Sequence, residues 1–237
     1  MKFTNFNKVI DSRNNELWCE LQKSFEIEVY LNDTPYAEMF SKNKKVQIFV
    51  NNDIDSASFT HELLHLWIEQ KEIYIGSTFR LIVADNKKLL KVFSDNLLKH
   101  IGNTCEHLKM YPKFLSLGYD SNEFLYDNNL HKCPERDLNK IEKYFKFLWT
   151  YRAQAIDAFI SKFFAINADH NTNFDYLDCQ TRLGRIDKGL YKVLSDFWNK
   201  WTDYDIDKED GIYISYHQVA FDFFDNFENW IKDKILV

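Results

Sequence analysis

Ser58-Phe59-Thr60-His61-Glu62-Leu63-Leu64-His65-Leu66-Trp67 is the stretch from which the rest of the chain is best read. Its apolar positions carry no proline, and Asn51-Asn52-Asp53-Ile54-Asp55-Ser56 just before it is rich in N-cap residues. The spacing therefore predicts a helix that begins near Ser56 and runs over 57–71. On a helix, residues i and i+4 lie one turn apart on one face, so His61 and His65 present two imidazoles to one tetrahedral ion. Glu62 stands about 100° further round, placed to act on a metal-bound water without being a ligand itself. Phe59, Leu63, Leu66 and Trp67 mark the helix as buried, and burying imidazoles and a carboxylate without partners is costly. A metal supplies the partner.

Outward from this helix the pattern is strand-like on one side and helical on the other. Residues 25–31 alternate strictly, and Val46-Gln47-Ile48-Phe49-Val50 reads as a second strand, with turn residues and a lysine cluster between them. A short helix is expected over 16–23. Downstream, helical periodicity is read over 87–117, 138–166, 186–201 and 215–234. Leu138-Ile141-Phe145-Leu148-Arg152-Ala155-Phe159-Phe163 and Ile186-Leu190-Val193-Phe197-Trp201 keep the spacing of stripes packed in a core. With 17% aromatic residues but only 6 Gly and 3 Pro, the chain lacks the turn residues of a sandwich or barrel. The expected class is α+β, mostly α, with a small N-terminal β element ending in an edge strand, then the His61–His65 helix and a helical C-terminal half. No repeat or linker divides the 237 residues, so one domain over 1–237 is expected.

A formal net charge of -6 argues against nucleic acid as a partner. No stretch reaches the roughly 18 apolar residues of a membrane span, and the opening residues lack the apolar region of a secretion signal. No membrane partner is expected, and a cytoplasmic location is. Cys19, Cys105, Cys133 and Cys179 form no C-x-x-C pair, which suits reduced, structural thiols. The acidic run 203–210 lacks the spacing of a calcium loop and reads as solvated.

The His61-Glu62-Leu63-Leu64-His65 motif, its apolar surroundings and the order strand-then-helix resemble the zincin-type metallopeptidases. The resemblance covers some 25 residues and implies a Zn2+ cofactor, a peptide or protein substrate, and Glu62 as general base. Ile68 and Lys71 stand where the metzincin extension would place Gly and His. A thermolysin-like glutamate some twenty residues downstream is missing too, since after Glu72 the next is Glu106. What remains resembles a compact, divergent zincin whose third ligand comes from another helix. Asp85, Asp95, His100, Glu106, His107, Asp120 and Glu123 are the downstream options. Projecting 87–117 at about 100° per residue groups Leu90, Leu97, Ile101, Leu108 and Leu115 towards the core. Asn96, His100, Asn103, His107 and Tyr111 then form a flanking polar stripe that favours His107, with Glu106 and His100 as alternatives. Tyr111, Tyr119, His131, Tyr151 and Arg152 are available as oxyanion donors, and strand 46–50, if at a sheet edge, offers backbone groups to an extended peptide. Two other readings stay open: a zinc hydrolase of non-peptide amides, and a helical interaction protein whose metal site is degenerate or structural.

Overall fold

The computed structural model describes residues 1–34, 37–208 and 215–237; the last two positions of the acidic run 203–210 lie outside them. Along the chain come α1 (Phe6–Val9), α2 (Asn15–Ser24), β1 (Glu26–Leu31), β2 (Glu38–Lys42), β3 (Lys45–Val50) and α3 (Ser56–Gln70). They are followed by α4 (Ile75–Ala84), α5 (Leu89–Val92), α6 (Asp95–Ser116), α7 (Glu135–Tyr144), β4 (Lys146–Phe147) and β5 (Thr150–Tyr151). The chain ends with α8 (Ala153–Asn167), α9 (Leu177–Ile186), α10 (Lys188–Asp203), α11 (Tyr216–Ile231) and β6 (Ile235–Leu236). The class is α+β, mostly α. Contacts divide it into a first unit, Met1–Ile73 with Lys109–Asn129, and a second, Tyr74–Leu108 with Leu130–Val237. The boundary falls within the residues of α6.

In the first unit, β1 and β3 run parallel and β2 is antiparallel to β3, giving the order β1-β3-β2. Val46, Ile48 and Val50 alternate inward on β3 and are buried, as a period of two requires. The strand before the His61–His65 helix is thus central, not an edge. Its backbone groups are spent on both neighbours, which removes the basis for peptide addition along it. The turn-rich segment after β1 hides β2, whose Glu-Met-Phe-Ser-Lys carries no clean alternation.

α3 starts where its cap dictates: the Asp55 side chain accepts from the Ser58 N–H at 2.7 Å. It ends before Glu72, which turns the chain at φ 59°. Phe59 packs on Trp18 of α2 with ring centroids 5.7 Å apart, and Trp18 packs on Phe6 at 5.7 Å. Under the first turn lies a buried polar cluster. Asn14 Nδ2 donates to the Val9 carbonyl at 2.8 Å, and lies 2.8 Å from Thr60 Oγ1 and 3.1 Å from Ser56 Oγ. The Tyr119 hydroxyl lies 2.6 Å from Ser56 Oγ and 2.9 Å from Thr60 Oγ1.

The second unit is built on phenylalanine. Phe79 of α4, Phe93, Phe197 of α10, and Phe223, Phe224 and Phe227 of α11 form one cluster with centroid separations from 4.6 to 6.4 Å. This is where much of the aromatic surplus goes. Gly102 of α6 meets Gly76 of α4 so closely that a Cβ on Gly102 would lie 2.9 Å from the Gly76 Cα.

Two expected helices are interrupted. The span 87–117 divides into α5 and α6, with Leu90 53% and Leu115 39% exposed although both were placed on the core arc. The span 138–166 divides into α7 and α8, separated by the tight β4–β5 hairpin, and Leu148, fourth in the supposed core stripe, is 71% exposed at φ 54°. An apolar run held its period by chance across a turn. Cys133 and Cys179 also depart from expectation, because they are joined as a disulfide across 46 residues, while Cys19 and Cys105 are free. Among the described residues no helix is long and apolar enough to cross a membrane.

Candidate metal centre

Three of the residues singled out from sequence converge. One ligand atom from each of His61, His65 and His107 lies within 4.8 Å of the other two. His61 and His65 take adjacent turns of α3, with ring centroids 5.0 Å apart. His107 stands on α6. All three rings are half-buried, and the other potential ligands do not join them. The His100 ring nitrogen lies 3.1 Å from the Ser161 carbonyl, Asp120 and Glu123 close a capping box around Ser121–Glu123, and Glu106 is not in the group.

The donor set fits a small divalent cation. Tetrahedral zinc holds nitrogens at about 2.0–2.1 Å, hence roughly 3.3 Å from one another. Burial drives the His61 imidazole down to about 3, repulsion from His65 adds to this, and a backbone hydrogen bond at Phe124 opposes it. The ring is therefore held neutral, the form in which imidazole binds metal. Three imidazoles with no carboxylate or thiolate suit zinc or a similar borderline ion.

Phe124 forms the aromatic wall of the site, at 5.0 Å from the His61 ring, 5.2 Å from Tyr111 and 5.1 Å from Phe114. No sequence motif announces Phe124. It follows a short helical turn outside every periodic segment and is recognisable only once the chain has folded back. Tyr111, one turn beyond His107 on α6, reaches the same wall. Tyr119 is spent in the cluster with Ser56 and Thr60. His131, Tyr151 and Arg152 belong to the second unit, where they contact Tyr176, Phe145 and Tyr144. Asn103, one turn before His107, is exposed. Glu62 is half-buried on the turn that starts with His61.

No family model matches this chain, and no curated protein or solved structure is similar to it at a significant level.

Proposed function

We propose that the protein is a zinc-dependent hydrolase, and within that class a metallopeptidase. The observation that supports this reading is the convergence of His61, His65 and His107 from two helices, with Glu62 beside the first of them. His61, His65 and His107 would hold the ion. When bound there, zinc supplies Lewis acidity, which brings the pKa of coordinated water towards neutrality and polarises the scissile carbonyl. Glu62 accepts the proton of the attacking water and returns it to the leaving nitrogen, acting first as general base and then as general acid. Tyr111 would be the donor for the developing oxyanion, since its ring and that of His61 both pack on Phe124. The half-buried setting of the rings limits water and strengthens these charge interactions.

Structural zinc is usually closed by four protein ligands. Among the described residues the group contains three, which favours a site with a coordination position left for water over a purely structural one. The preference for a peptide over another amide rests on the resemblance of the motif. As to compartment, a cytoplasmic location would keep the Cys133–Cys179 pair reduced, so the mass of the protein isolated from its native cells under thiol-blocking conditions decides it.

The test is hydrolysis of a peptide library by the zinc-loaded protein, read by mass spectrometry, beside Glu62→Gln. The proposal expects cleavage by the wild type and a loss of at least about a hundredfold in the variant, which keeps its metal. A zinc-loaded protein that cleaves no peptide but hydrolyses small amides moves the reading to the non-peptide alternative. Equal turnover by wild type and Glu62→Gln contradicts it.

A further inference from the structure

The hairpin that interrupts the expected helix 138–166 carries a feature unrelated to the metal centre. Phe147, Leu148 and Trp149 form its tip and are 69%, 71% and 80% exposed. On β6, which pairs with β5, Ile235 adds a further apolar side chain, 58% exposed. Four large hydrophobic groups thus stand in water on this hairpin and the strand beside it, left uncovered by the described residues, and such a contiguous apolar exposure marks an interaction site. The tip is not frayed, because β4 and β5 pair Lys146 with Tyr151 and Phe147 with Thr150. At its base the Arg152 N–H bonds the Phe145 carbonyl at 3.2 Å.

Around the base stand cations. Lys143 lies over the Tyr144 ring at 5.1 Å and the Arg152 guanidinium at 5.0 Å from it, while Lys146 and Lys234 sit over Tyr151 at 5.1 and 5.4 Å. From 140 to 152 the chain holds Lys140, Lys143, Lys146 and Arg152 against one carboxylate, Glu142, which is already bound by Arg182. Asp187 and Asp233 are the acidic groups that act on Lys234. In a chain of formal charge -6, this local excess of positive charge sets the hairpin apart. Lys140 and Arg152 also line a cavity of about 490 Å³, where Asp137, itself paired with Lys162 at 2.9 Å, and Asp157, bound by the Ser94 hydroxyl at 2.6 Å, offset part of that charge on the side away from the tip.

We propose that the β4–β5 hairpin docks the protein on an anionic lipid surface, with Phe147, Leu148 and Trp149 entering the interfacial layer and the surrounding lysines and Arg152 meeting acidic headgroups. Convexity selects a bilayer over a protein partner. A stable protein interface needs about 800 Å² from each side with its anchors near the centre, which a two-residue turn cannot offer, whereas lipid surrounds a protrusion on every side. The side-chain types agree: Trp and Phe partition to the membrane interface, and lysines near an acidic surface each add attraction. Such docking requires no spanning segment.

The experiment is co-sedimentation of the full chain with phosphatidylcholine vesicles, with and without a phosphatidylserine fraction. Binding should be at least about tenfold tighter with phosphatidylserine and should weaken as salt is raised. Phe147→Ser/Leu148→Ser/Trp149→Ser and, separately, Lys143→Glu/Lys146→Glu should each lose at least about tenfold. Far-UV circular dichroism checks that both variants are folded. A second readout needs no disruptive change: brominated lipid should quench the wild type more than Trp149→Phe. Equal binding to neutral and acidic vesicles, unaltered binding by the triple variant, or equal quenching of wild type and Trp149→Phe overturns the proposal. So does self-association of the wild type that the triple variant loses, without vesicle binding, because the tip would then be a contact between copies.

Discussion

Replacing Asn14 by Ala should destabilise the protein by about 2–4 kcal/mol. Asn14 is fully buried, and its amide and carbonyl serve four groups at once. Nδ2 donates to the Val9 carbonyl at 2.8 Å and approaches the Ser56 and Thr60 hydroxyls, while Oδ1 accepts the Asp11 N–H at 2.9 Å. The two hydroxyls keep Tyr119 after truncation, so they contribute little to the loss. The Val9 carbonyl belongs to a residue with no exposed surface, and leaving such a group without a donor costs roughly 1–3 kcal/mol. The Asp11 N–H, nearer the surface, loses a net bond of about 1 kcal/mol and regains part of it from water. Urea unfolding followed by circular dichroism is the assay, with an unchanged slope confirming that stability alone has moved. Asn52→Ala, at an exposed position of the loop before α3, should stay within about 0.5 kcal/mol of wild type. A loss below about 0.5 kcal/mol for Asn14→Ala would refute the view that this cluster anchors the first turn of α3.

Other consequences can be checked independently. Gly102→Ala places a Cβ 2.9 Å from backbone at Gly76 and should cost about 1–3 kcal/mol in thermal or urea unfolding. The reciprocal Gly76→Ala meets Gly102 at an ordinary 3.5 Å and should be near neutral or slightly stabilising. Reducing the Cys133–Cys179 bridge, which closes a separation of 46 residues, should lower stability by up to about 4 kcal/mol on the loop-entropy model; Cys133→Ser/Cys179→Ser, which has no bridge to lose, should be insensitive to reductant. Hydrogen bonding from Arg13 holds the Asp11 carboxyl at about 2, below its ordinary 3.8. Between those values the unfolded chain binds more protons than the folded one, so this stabilisation is complete above about pH 4 and fades as pH falls through 2. Arg13→Met should therefore flatten the pH dependence of stability in that window, and parallel curves for the two proteins would show that the pair does not matter.

What could be read from the sequence was set by how local each signal is. The α3 helix, its Asp55 cap and the alternation of β1 and β3 depend on neighbours within one or two turns, and they stand where the pattern places them. His107 emerged from a helical projection even though the outer members of the same projection, Leu90 and Leu115, are exposed. Leu90 falls in α5, across the break, and Leu115 in the last turn of α6, whereas Leu97 and Ile101, nearer the histidine, are buried as projected. Strand order is not local. β3 is central because β2 folds back against it, and nothing in Lys45–Val50 itself distinguishes a central strand from a margin. The break at Phe145–Arg152 was hidden by its composition, since Phe-Lys-Phe-Leu-Trp-Thr-Tyr lacks Gly and Pro and turns through Leu148 at positive φ, which residues other than Gly seldom adopt. The pairing of Cys133 with Cys179 likewise depends on α9 returning to the loop before α7, a tertiary event that cysteine spacing does not encode.

The central claim is that His61, His65 and His107 grip one divalent ion, and metal content after reconstitution with zinc and gel filtration tests it most directly. One equivalent of zinc per chain is expected for the wild type, for Glu106→Ala and for His100→Ala, with strong loss in His61→Ala, His65→Ala and His107→Ala. Absence of zinc from the wild type, or full retention by His107→Ala, would contradict the account.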